Sequence, residues 1–315
     1  MFLNTLFRKL KFPTASQFSQ MEFRLLREIE QNRILAAQPL IQALKKGGVL
    51  ENIADAEFRV FSQWGEDGII QYLISRIAVE NKVFIEFGVQ DYSESNTRFL
   101  LMNDNWTGFL IDSSSEAIKY IRSQEYYWKY ELTAVCDFVR VDNINKLIKN
   151  TGITGSIGIL SIDIDGNDYW VWNAISAVSP QIVIIEYNSL FGNQRAVTIP
   201  YQPEFSREKA HFSNLFWGTS LPAFCRLASG KGYIYAGSNS SGSNAFFVRK
   251  DSAGNIKECD FRKNFIQSKF RDSRDENGNL SFISNKNKLE VIKDMFLFDT
   301  ESDQTLQIKD INFNE

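Results

Sequence analysis

The chain has 315 residues, of which 43% are hydrophobic and 23% are charged, so it is long enough to bury a substantial core in one or two domains. Its formal net charge of -3 and its isoelectric point near 5.5 argue against a broad nucleic-acid-binding surface. Three scattered cysteines, one histidine and no apolar run of about 18 residues exclude a multi-histidine metal site and a transmembrane helix. We therefore expect a cytoplasmic globular protein with reduced thiols.

Residues 1–56 are predicted to form an N-terminal helical arm. Residues 1–12 are amphipathic and basic, which is compatible either with weak contact to a membrane surface or with a terminal packing helix. They lack the apolar region and cleavage site of a signal peptide. From Ser16 to Lys46, apolar residues recur at helical spacing, and Pro39 is expected to break or kink this helix. Such an arm typically packs on its own domain or on a second subunit, so a homo-oligomer is expected.

Residues 57–250 are predicted to form an α/β domain of five alternating strand and helix units. The strands are indicated by short runs of β-branched and aromatic residues at 82–88, 108–112 and 132–141 and by two runs centred on Asp163 and Glu186. Helices are indicated at 69–77, 97–103, 114–124, 143–149 and 170–177. Two last strands, 232–236 and 244–249, flank a serine-rich turn. The pattern predicts a Rossmann-like, mostly parallel seven-stranded sheet with a terminal antiparallel hairpin and helices on both faces.

The rest of the chain carries weaker signals. Residues 189–213 are interpreted as an irregular acidic and aromatic stretch, and a helix containing Leu215 and Leu221 is expected before the hairpin. Residues 251–315 are predicted to be a polar C-terminal extension, with a solvated loop at 272–279 and a small closing element at 289–298.

Two neighbouring strands end in acidic and amide side chains. Asp163, Asp165, Asn167 and Asp168 follow one strand, and Glu186 and Asn188 end the next. Ligands bind at the carboxyl edge of an open α/β sheet, where adjacent strands are about 4.8 Å apart. These oxygens can therefore converge on a substrate, a base position or a hard cation. For Asn167 and Asp168 alone, a turn and helix-capping role is the alternative.

The first two strands end in a pattern that is typical of nucleoside sites. Glu86 and Gly88 end the first strand, and a polar loop and a helix follow, which places backbone N–H groups beneath the strand end. Asp112 ends the second strand, where an acid can accept hydrogen bonds from both hydroxyls of a ribose. The pair predicts a site for a nucleoside cofactor.

Together these features resemble the class I S-adenosylmethionine-dependent methyltransferases. Six segments are similar, more narrowly, to the FkbM-like methyltransferases that accompany bacterial surface-polysaccharide biosynthesis: Phe61–Gly68, Phe84–Gly88, Ser93–Thr97, Leu160–Asp168, Ile184–Asn188 and Gly237–Val248. The likeness covers residues 58–250. The first loop departs from the family pattern because it carries a single glycine.

The resemblance implies O-methylation of a sugar hydroxyl, with S-adenosylmethionine as cofactor and a small molecule or glycan as acceptor. Glu86 and Gly88 would form the cofactor loop, and Asp112 would hold the ribose. Gln63 and Glu66 would line the carboxylate or amino end of the cofactor, with a capping and turn role as the alternative.

The resemblance also assigns the chemistry of the acidic edge. Asp163 or Asp165 would face the methyl group and the substrate. Likeness to magnesium-dependent O-methyltransferases implies a Mg²⁺ ion held by Asp165, Glu186 and Asn188. His211 is the only imidazole available as a base near neutral pH, and a structural role is its alternative.

Two other functions stay open at this point. One is an NAD-dependent oxidoreductase, which the single glycine of the first loop and the terminal hairpin disfavour. The other is a non-catalytic protein that binds a nucleoside, or that binds a partner through the helical arm.

Overall fold

The structure, a computed structural model, describes residues 14–313. Its strands are β1 (Val83–Phe87), β2 (Thr107–Asp112), β3 (Leu132–Cys136), β4 (Gly155–Ile162), β5 (Val178–Glu186), β6 (Val197–Thr198), β7 (Tyr233–Ser238), β8 (Asn244–Arg249), β9 (Phe296–Asp299) and β10 (Gln304–Gln307). Its α-helices are α1 (Ala15–Lys46), α2 (Glu66–Arg76), α3 (Arg98–Asp104), α4 (Ser115–Ser123), α5 (Glu125–Lys129), α6 (Ile144–Asn150), α7 (Asp168–Ala174), α8 (Arg207–Ala210), α9 (Leu221–Gly230) and α10 (Asn285–Val291). Short 3-10 helices span Ile53–Ala56, Ser189–Phe191 and Ile308–Asp310.

Seven strands form the main sheet in the order β3-β2-β1-β4-β5-β8-β7. Strands β1 to β5 are parallel, whereas β8 is antiparallel to both β5 and β7. Phe87 pairs with Ile111 on one side and Ile162 on the other, and Ile162 pairs with Ile185. The carboxyl ends of β1, β2, β4 and β5 therefore meet at one edge, and the predicted sheet with its terminal hairpin is confirmed.

The main sheet is buried on both faces because alternate residues of each strand point to opposite sides. On one face, Phe84 and Ile159 join a buried cluster with residues of α2, α3 and α4. On the other face, Phe87 and Leu160 join a cluster with residues of α6, α7 and α9. The prediction of helices on both faces is confirmed.

The long helix α1 continues through Pro39, so the prediction that proline breaks it was wrong. Proline removes one backbone hydrogen bond. However, Ala37 and Ile41 on either side are buried in a cluster with Phe99, and tertiary packing of this kind supplies most helical stability in proteins.

Two other element boundaries differ from the predictions. Strand β3 ends at Cys136 rather than Val141, because the side chain of Asn143 donates to the carbonyl of Phe138 and accepts from the N–H of Arg140 to form a turn. Leu215 precedes its predicted helix. Helix α9 begins at Leu221, where the Ser220 hydroxyl accepts from the N–H of Ala223.

The first half of α1 leaves its apolar stripe in solvent. Phe18, Met21 and Leu25 are 62–63% exposed. Self-association through this arm stays a prediction, and the predicted membrane contact of residues 1–12 lies outside the described residues. No helix within residues 14–313 is long and apolar enough to cross a bilayer.

Residues beyond 250 pack against the carboxyl edge of the main sheet. Strands β9 and β10 join β6 in a second sheet of order β10-β9-β6, over a cluster that includes Phe191 and Leu297. The Tyr187 hydroxyl donates to the carbonyl of Ile266, and the hydroxyls of Ser189 and Ser268 share a hydrogen bond. The stretch predicted to be irregular thus contributes β6 and α8, whereas the division at residues 56 and 250 stays a prediction.

The buried carboxylate of Asp67 organises the loop before α2. Its Oδ2 atom accepts four hydrogen bonds of 2.7–2.9 Å, from the N–H groups of Val60, Phe61 and Ser62 and from the Ser62 hydroxyl. Its Oδ1 atom is buried without a partner. Burial raises the pKa of Asp67 from 3.8 to about 6.

We predict that the wild-type protein loses stability relative to Asp67→Asn as the pH rises from about 4 to about 7. The folded protein keeps a proton on Asp67 until its raised pKa, so the stability from protonation is complete below the unfolded pKa and is lost above the folded one. A shift of this size corresponds to about 3 kcal/mol. Urea unfolding across this pH range measures the difference, with the exposed Asp55→Asn as control. A wild-type-minus-variant difference that is independent of pH would contradict the prediction.

Candidate functional site

Two adjoining cavities open at the carboxyl edge of the main sheet. The strand-end cavity, of about 590 Å³, lies beyond β1, β2, β3 and β4. The aromatic cavity, of about 530 Å³, lies beyond β5 and is walled by Trp64, Trp217 and Phe270. Four side chains line both cavities: Gln63, Glu186, Arg207 and Asp272. A molecule in one cavity can therefore meet a molecule in the other at these four residues.

Gly88 lets the end of β1 lie directly against the end of β4. A Cβ atom at this position would be 1.6 Å from the carbonyl oxygen of Asp163, and the backbone φ is +72°. The N–H of Gly88 donates to the carbonyl of Ile111 at 3.0 Å, which joins the loop to β2. Only glycine, which has no Cβ atom, fits this close approach of the two backbones.

Asp112 is held at the wall of the strand-end cavity by two backbone N–H groups. Gln90 N–H donates to its Oδ2 and Ser114 N–H to its Oδ1, both at 2.8 Å. An ionised carboxylate accepts about four hydrogen bonds, two on each oxygen. Each oxygen therefore keeps a lone pair for a ligand, and the fixed carboxylate is suited to a pair of neighbouring hydroxyls.

Two predicted cofactor residues are used inside the protein instead. The Glu86 carboxylate accepts from the Ser95 and Thr97 hydroxyls and from the N–H of Asn96, so it fixes the loop before α3. Burial raises its pKa. The Glu86 side chain lines neither cavity. Glu86 would therefore influence a ligand only through the position of the loop before α3.

Glu66 also lies behind the site. Its oxygens accept from the N–H groups of Trp64 and Gly65 and from the side-chain amides of Asn239 and Asn244. These bonds match the turn role that the sequence analysis gave as the alternative for Glu66. They also join the loop before α2 to the terminal hairpin. Gln63 is exposed and lines both cavities, so it alone of this predicted pair reaches the site.

Three carboxylates converge where the two cavities meet. Asp163, Asp165 and Glu186 each offer an oxygen within 4.8 Å of the others. Burial, then repulsion from Asp165, raises the pKa of Asp163 well above its usual range. Burial, then repulsion from Asp163, raises the pKa of Glu186 in the same way. Glu186 Oε2 is buried and has no hydrogen-bond partner among the described residues.

Arg207 places a compensating cation beside this acidic group. Its Nη1 donates to Asp165 at 3.0 Å and its Nη2 to Asp272 at 2.9 Å. Its guanidinium lies 4.6 Å from the ring centre of Trp217. Its positive charge opposes the rise in the pKa of Glu186. Arg207 therefore links the end of β4 to residues 251–313, the C-terminal segment, and it lines both cavities.

The other amide and acidic side chains of the two strand ends have local roles. Asn188 donates to the carbonyl of Trp217 and accepts from the N–H of Leu190, and its role as a cation ligand stays a prediction. Asp168 accepts from the N–H groups of Ile164 and Gly166. Burial raises the pKa of Asp168 to about 6.

The last predicted site residues are separated from the carboxylates. Asn167 lines the strand-end cavity and donates to the carbonyl of Gln202. His211 Nδ1 accepts from the N–H of Ser213, and its ring lines neither cavity. Burial lowers the pKa of His211. The catalytic role of His211 stays a prediction. The hydrogen bonds of Asp168 to Ile164 and Gly166 match the turn role given as its alternative.

The carboxylate group has the donor chemistry of a hard-cation site. Asp163, Asp165 and Glu186 supply three oxygens, and Glu186 Oε2 has no hydrogen-bond partner among the described residues. Arg207 already bonds Asp165, so a guanidinium occupies one side of the group. The same residues can serve either a divalent cation or a proton transfer.

Several residues of the site were missed in the sequence. Asp137 follows β3 directly and lines the strand-end cavity, so the strand-end rule applied to Asp112 would have found it. The indole of Trp64 stacks on Phe270 with ring centres 5.0 Å apart. Arg207 and the residues of the C-terminal segment had no strand or motif to mark them.

No family model and no curated protein matches the chain. Among solved structures, it is similar to an S-adenosylmethionine-dependent methyltransferase from Clostridium acetobutylicum, at 10% identity over 58% of this chain and 90% of that one, with a TM-score of 0.38. It is also similar to an O-methyltransferase from Bacillus cereus in complex with S-adenosylhomocysteine, at 13% identity over 79% of this chain and 96% of that one, with a TM-score of 0.37. The strand order itself, with antiparallel β8 between β5 and β7, is the Rossmann-like methyltransferase fold.

We predict that Gly88→Ala destabilises the protein by about 3 kcal/mol or more, because the added Cβ meets backbone and the positive φ disfavours alanine. Gly230→Ala is the matched control, since a Cβ there has no atom within 4 Å. Thermal unfolding of the two variants measures the difference. Equal melting temperatures would show that the backbone at Gly88 relaxes freely.

Proposed function

We propose that the protein is an S-adenosylmethionine-dependent O-methyltransferase that acts on a sugar hydroxyl. The observation that carries the proposal is the meeting of two cavities at the Asp163–Glu186 pair. The strand-end cavity has the acid and the close-packed glycine of a nucleoside site, and the aromatic cavity is suited to a separate acceptor. A group transfer needs this arrangement, because donor and acceptor must meet in line.

Gly88 and Asp112 would position the cofactor in the strand-end cavity. S-adenosylmethionine, when bound, supplies an electrophilic methyl group on a sulfonium centre. The fixed carboxylate of Asp112 would accept from the ribose hydroxyls, and Asp137 lies on the same wall. The strand order, with its antiparallel strand, disfavours the alternative NAD-binding function, since dinucleotide folds have a parallel sixth strand and more glycines near the pyrophosphate.

The Asp163–Glu186 pair would act as the general base. The acceptor hydroxyl would lose its proton to Glu186 as its oxygen bonds the methyl carbon, while the bond from that carbon to sulfur breaks and the cofactor leaves as a neutral thioether. The Glu186 side chain lines both cavities, and its buried Oε2 has no hydrogen-bond partner among the described residues, which supports this role. Arg207 would favour the ionised form of Glu186 by its charge.

The walls of the aromatic cavity support a sugar acceptor. Trp64 stacks on Phe270, and Trp217 lies opposite the carboxylates, so apolar sugar faces have aromatic surfaces to contact. The finer assignment, to bacterial surface-polysaccharide or nucleotide-sugar metabolism, rests on the FkbM-like segments. The three cysteines are free thiols, which agrees with the cytoplasmic location that we propose.

We predict that Asp112→Asn weakens binding of S-adenosylhomocysteine by about 10- to 100-fold, because hydrogen bonds to a charged group contribute about 1.5–3 kcal/mol. Calorimetric titration measures the affinity. Asp142→Asn, on an exposed side chain outside both cavities, should bind like the wild type. Binding of NAD instead of S-adenosylhomocysteine by the folded wild-type protein would overturn the proposed cofactor.

We predict that Glu186→Gln lowers kcat by about 100-fold or more, since general-base catalysis contributes about that factor. Affinity for S-adenosylhomocysteine should stay within about twofold, because Glu186 binds no part of the nucleoside. Turnover of S-adenosylmethionine with a panel of sugars and nucleotide sugars measures the rate, with the exposed Glu204→Gln as control. Undiminished turnover in Glu186→Gln would exclude the base role.

Magnesium is the second candidate for the carboxylate group, because three oxygens lie within reach of one cation. Asp163, Asp165 and Glu186 would hold the ion, which would supply a Lewis acid for the acceptor hydroxyl. Turnover that EDTA abolishes and Mg²⁺ restores would establish the ion. Turnover that is indifferent to EDTA would leave the proton-transfer role to the carboxylates and Arg207.

A further inference from the structure

Lys288 is a buried cation without a carboxylate partner. It lies on α10, is 5% exposed and lines the aromatic cavity. Its ammonium group donates to the carbonyl of Phe270 but forms no ion pair within the described part of the chain. The charge of Asp272 raises the pKa of Lys288, but Asp272 already forms an ion pair with Arg207. Lysine side chains are rarely buried without an oppositely charged partner. An anion bound in the aromatic cavity would supply that partner for Lys288.

Arg271 adds a second cation to the same cavity. Its Nε and Nη2 atoms donate to the carbonyl of Phe282 at 3.3 and 3.1 Å, which directs the guanidinium without neutralising it. A guanidinium carries five N–H donors, so most remain for a ligand. By contrast, Arg207 is committed to two carboxylates. The uncompensated charge of the aromatic cavity therefore lies at Lys288 and Arg271.

The aromatic surface and the cations belong to one stretch of chain. Phe270 stacks on Trp64 through its ring and accepts from Lys288 through its carbonyl, and Arg271 is the next residue. A ring that packs against Trp64 and Phe270 would thus have a positive charge beside it. Burial lowers the pKa of Lys288, and the opposing effect of the Asp272 charge is smaller. A bound anion would strengthen that opposing effect.

We propose that the acceptor is an anionic sugar, whose phosphate or carboxylate group binds Lys288 and Arg271 while its hydroxyl faces Glu186. The inference rests on the proposed function, because it names the substrate class of the same aromatic cavity. A neutral sugar would leave the Lys288 ammonium buried and unpaired. The C-terminal segment that carries both cations therefore determines acceptor specificity.

The test titrates probes into the protein saturated with S-adenosylhomocysteine, which keeps the strand-end cavity filled. Inorganic pyrophosphate is the phosphate probe, D-glucuronate the carboxylate probe and D-glucose the neutral control. We expect at least one anion to bind about tenfold or more tightly than glucose, and the stronger of the two identifies the charged group. Lys288→Gln and Arg271→Gln should each weaken that anion about tenfold, and Lys288→Arg should restore most of the affinity.

Lys293→Gln is the matched control, because Lys293 follows α10, is half exposed and already pairs with Glu290. Thermal unfolding checks that Lys288→Gln is folded, and the exposed Arg271→Gln tests the site if it is not. Binding of neither anion, equal binding of glucose, or affinities unchanged in the folded variants would overturn the anionic acceptor. Failure of the wild-type protein to bind S-adenosylhomocysteine would instead overturn the proposed function, so the two failures are distinguishable.

Discussion

The site depends on placing three carboxylates at one sheet edge without neutralising them completely. Asp163, Asp165 and Glu186 lie within 4.8 Å of one another because β4 and β5 are adjacent and parallel and end together. Like charges at this spacing repel, and burial makes their ionisation more costly. Burial and mutual repulsion raise the pKa values of Asp163 and Glu186, and the guanidinium of Arg207, bonded to Asp165, opposes part of the rise at Glu186.

Arg207 also explains why the C-terminal segment matters to the site. It bonds Asp165 at the end of β4 and Asp272 in that segment, so the main sheet and the segment share one cation. The second sheet, which combines β6 with β9 and β10, holds the segment in place. The aromatic cavity therefore lies between the carboxyl edge of the main sheet and the C-terminal segment, which is distant from that edge in the sequence.

The sequence predicted those site residues whose position follows from a strand end. Gly88 and Asp112 line the strand-end cavity because each follows a parallel strand at the same edge. Glu86 was predicted by the same reasoning and Glu66 from the family resemblance, yet their carboxylates bind loop amides and hydroxyls. Residue type and spacing do not distinguish an acid that faces a ligand from one that fixes a loop, because both need a carboxylate at the end of an element.

By itself, the sequence determined the main sheet, its helices on both faces and the acidic edge, since apolar alternation and strand ends are local signals. Only the tertiary structure decided that the Asn188 amide bonds the backbone of Trp217 and Leu190, that His211 lies outside both cavities and that Lys288 lines the aromatic one. Those outcomes depend on contacts between distant segments, and such contacts leave no periodic trace in the order of the residues.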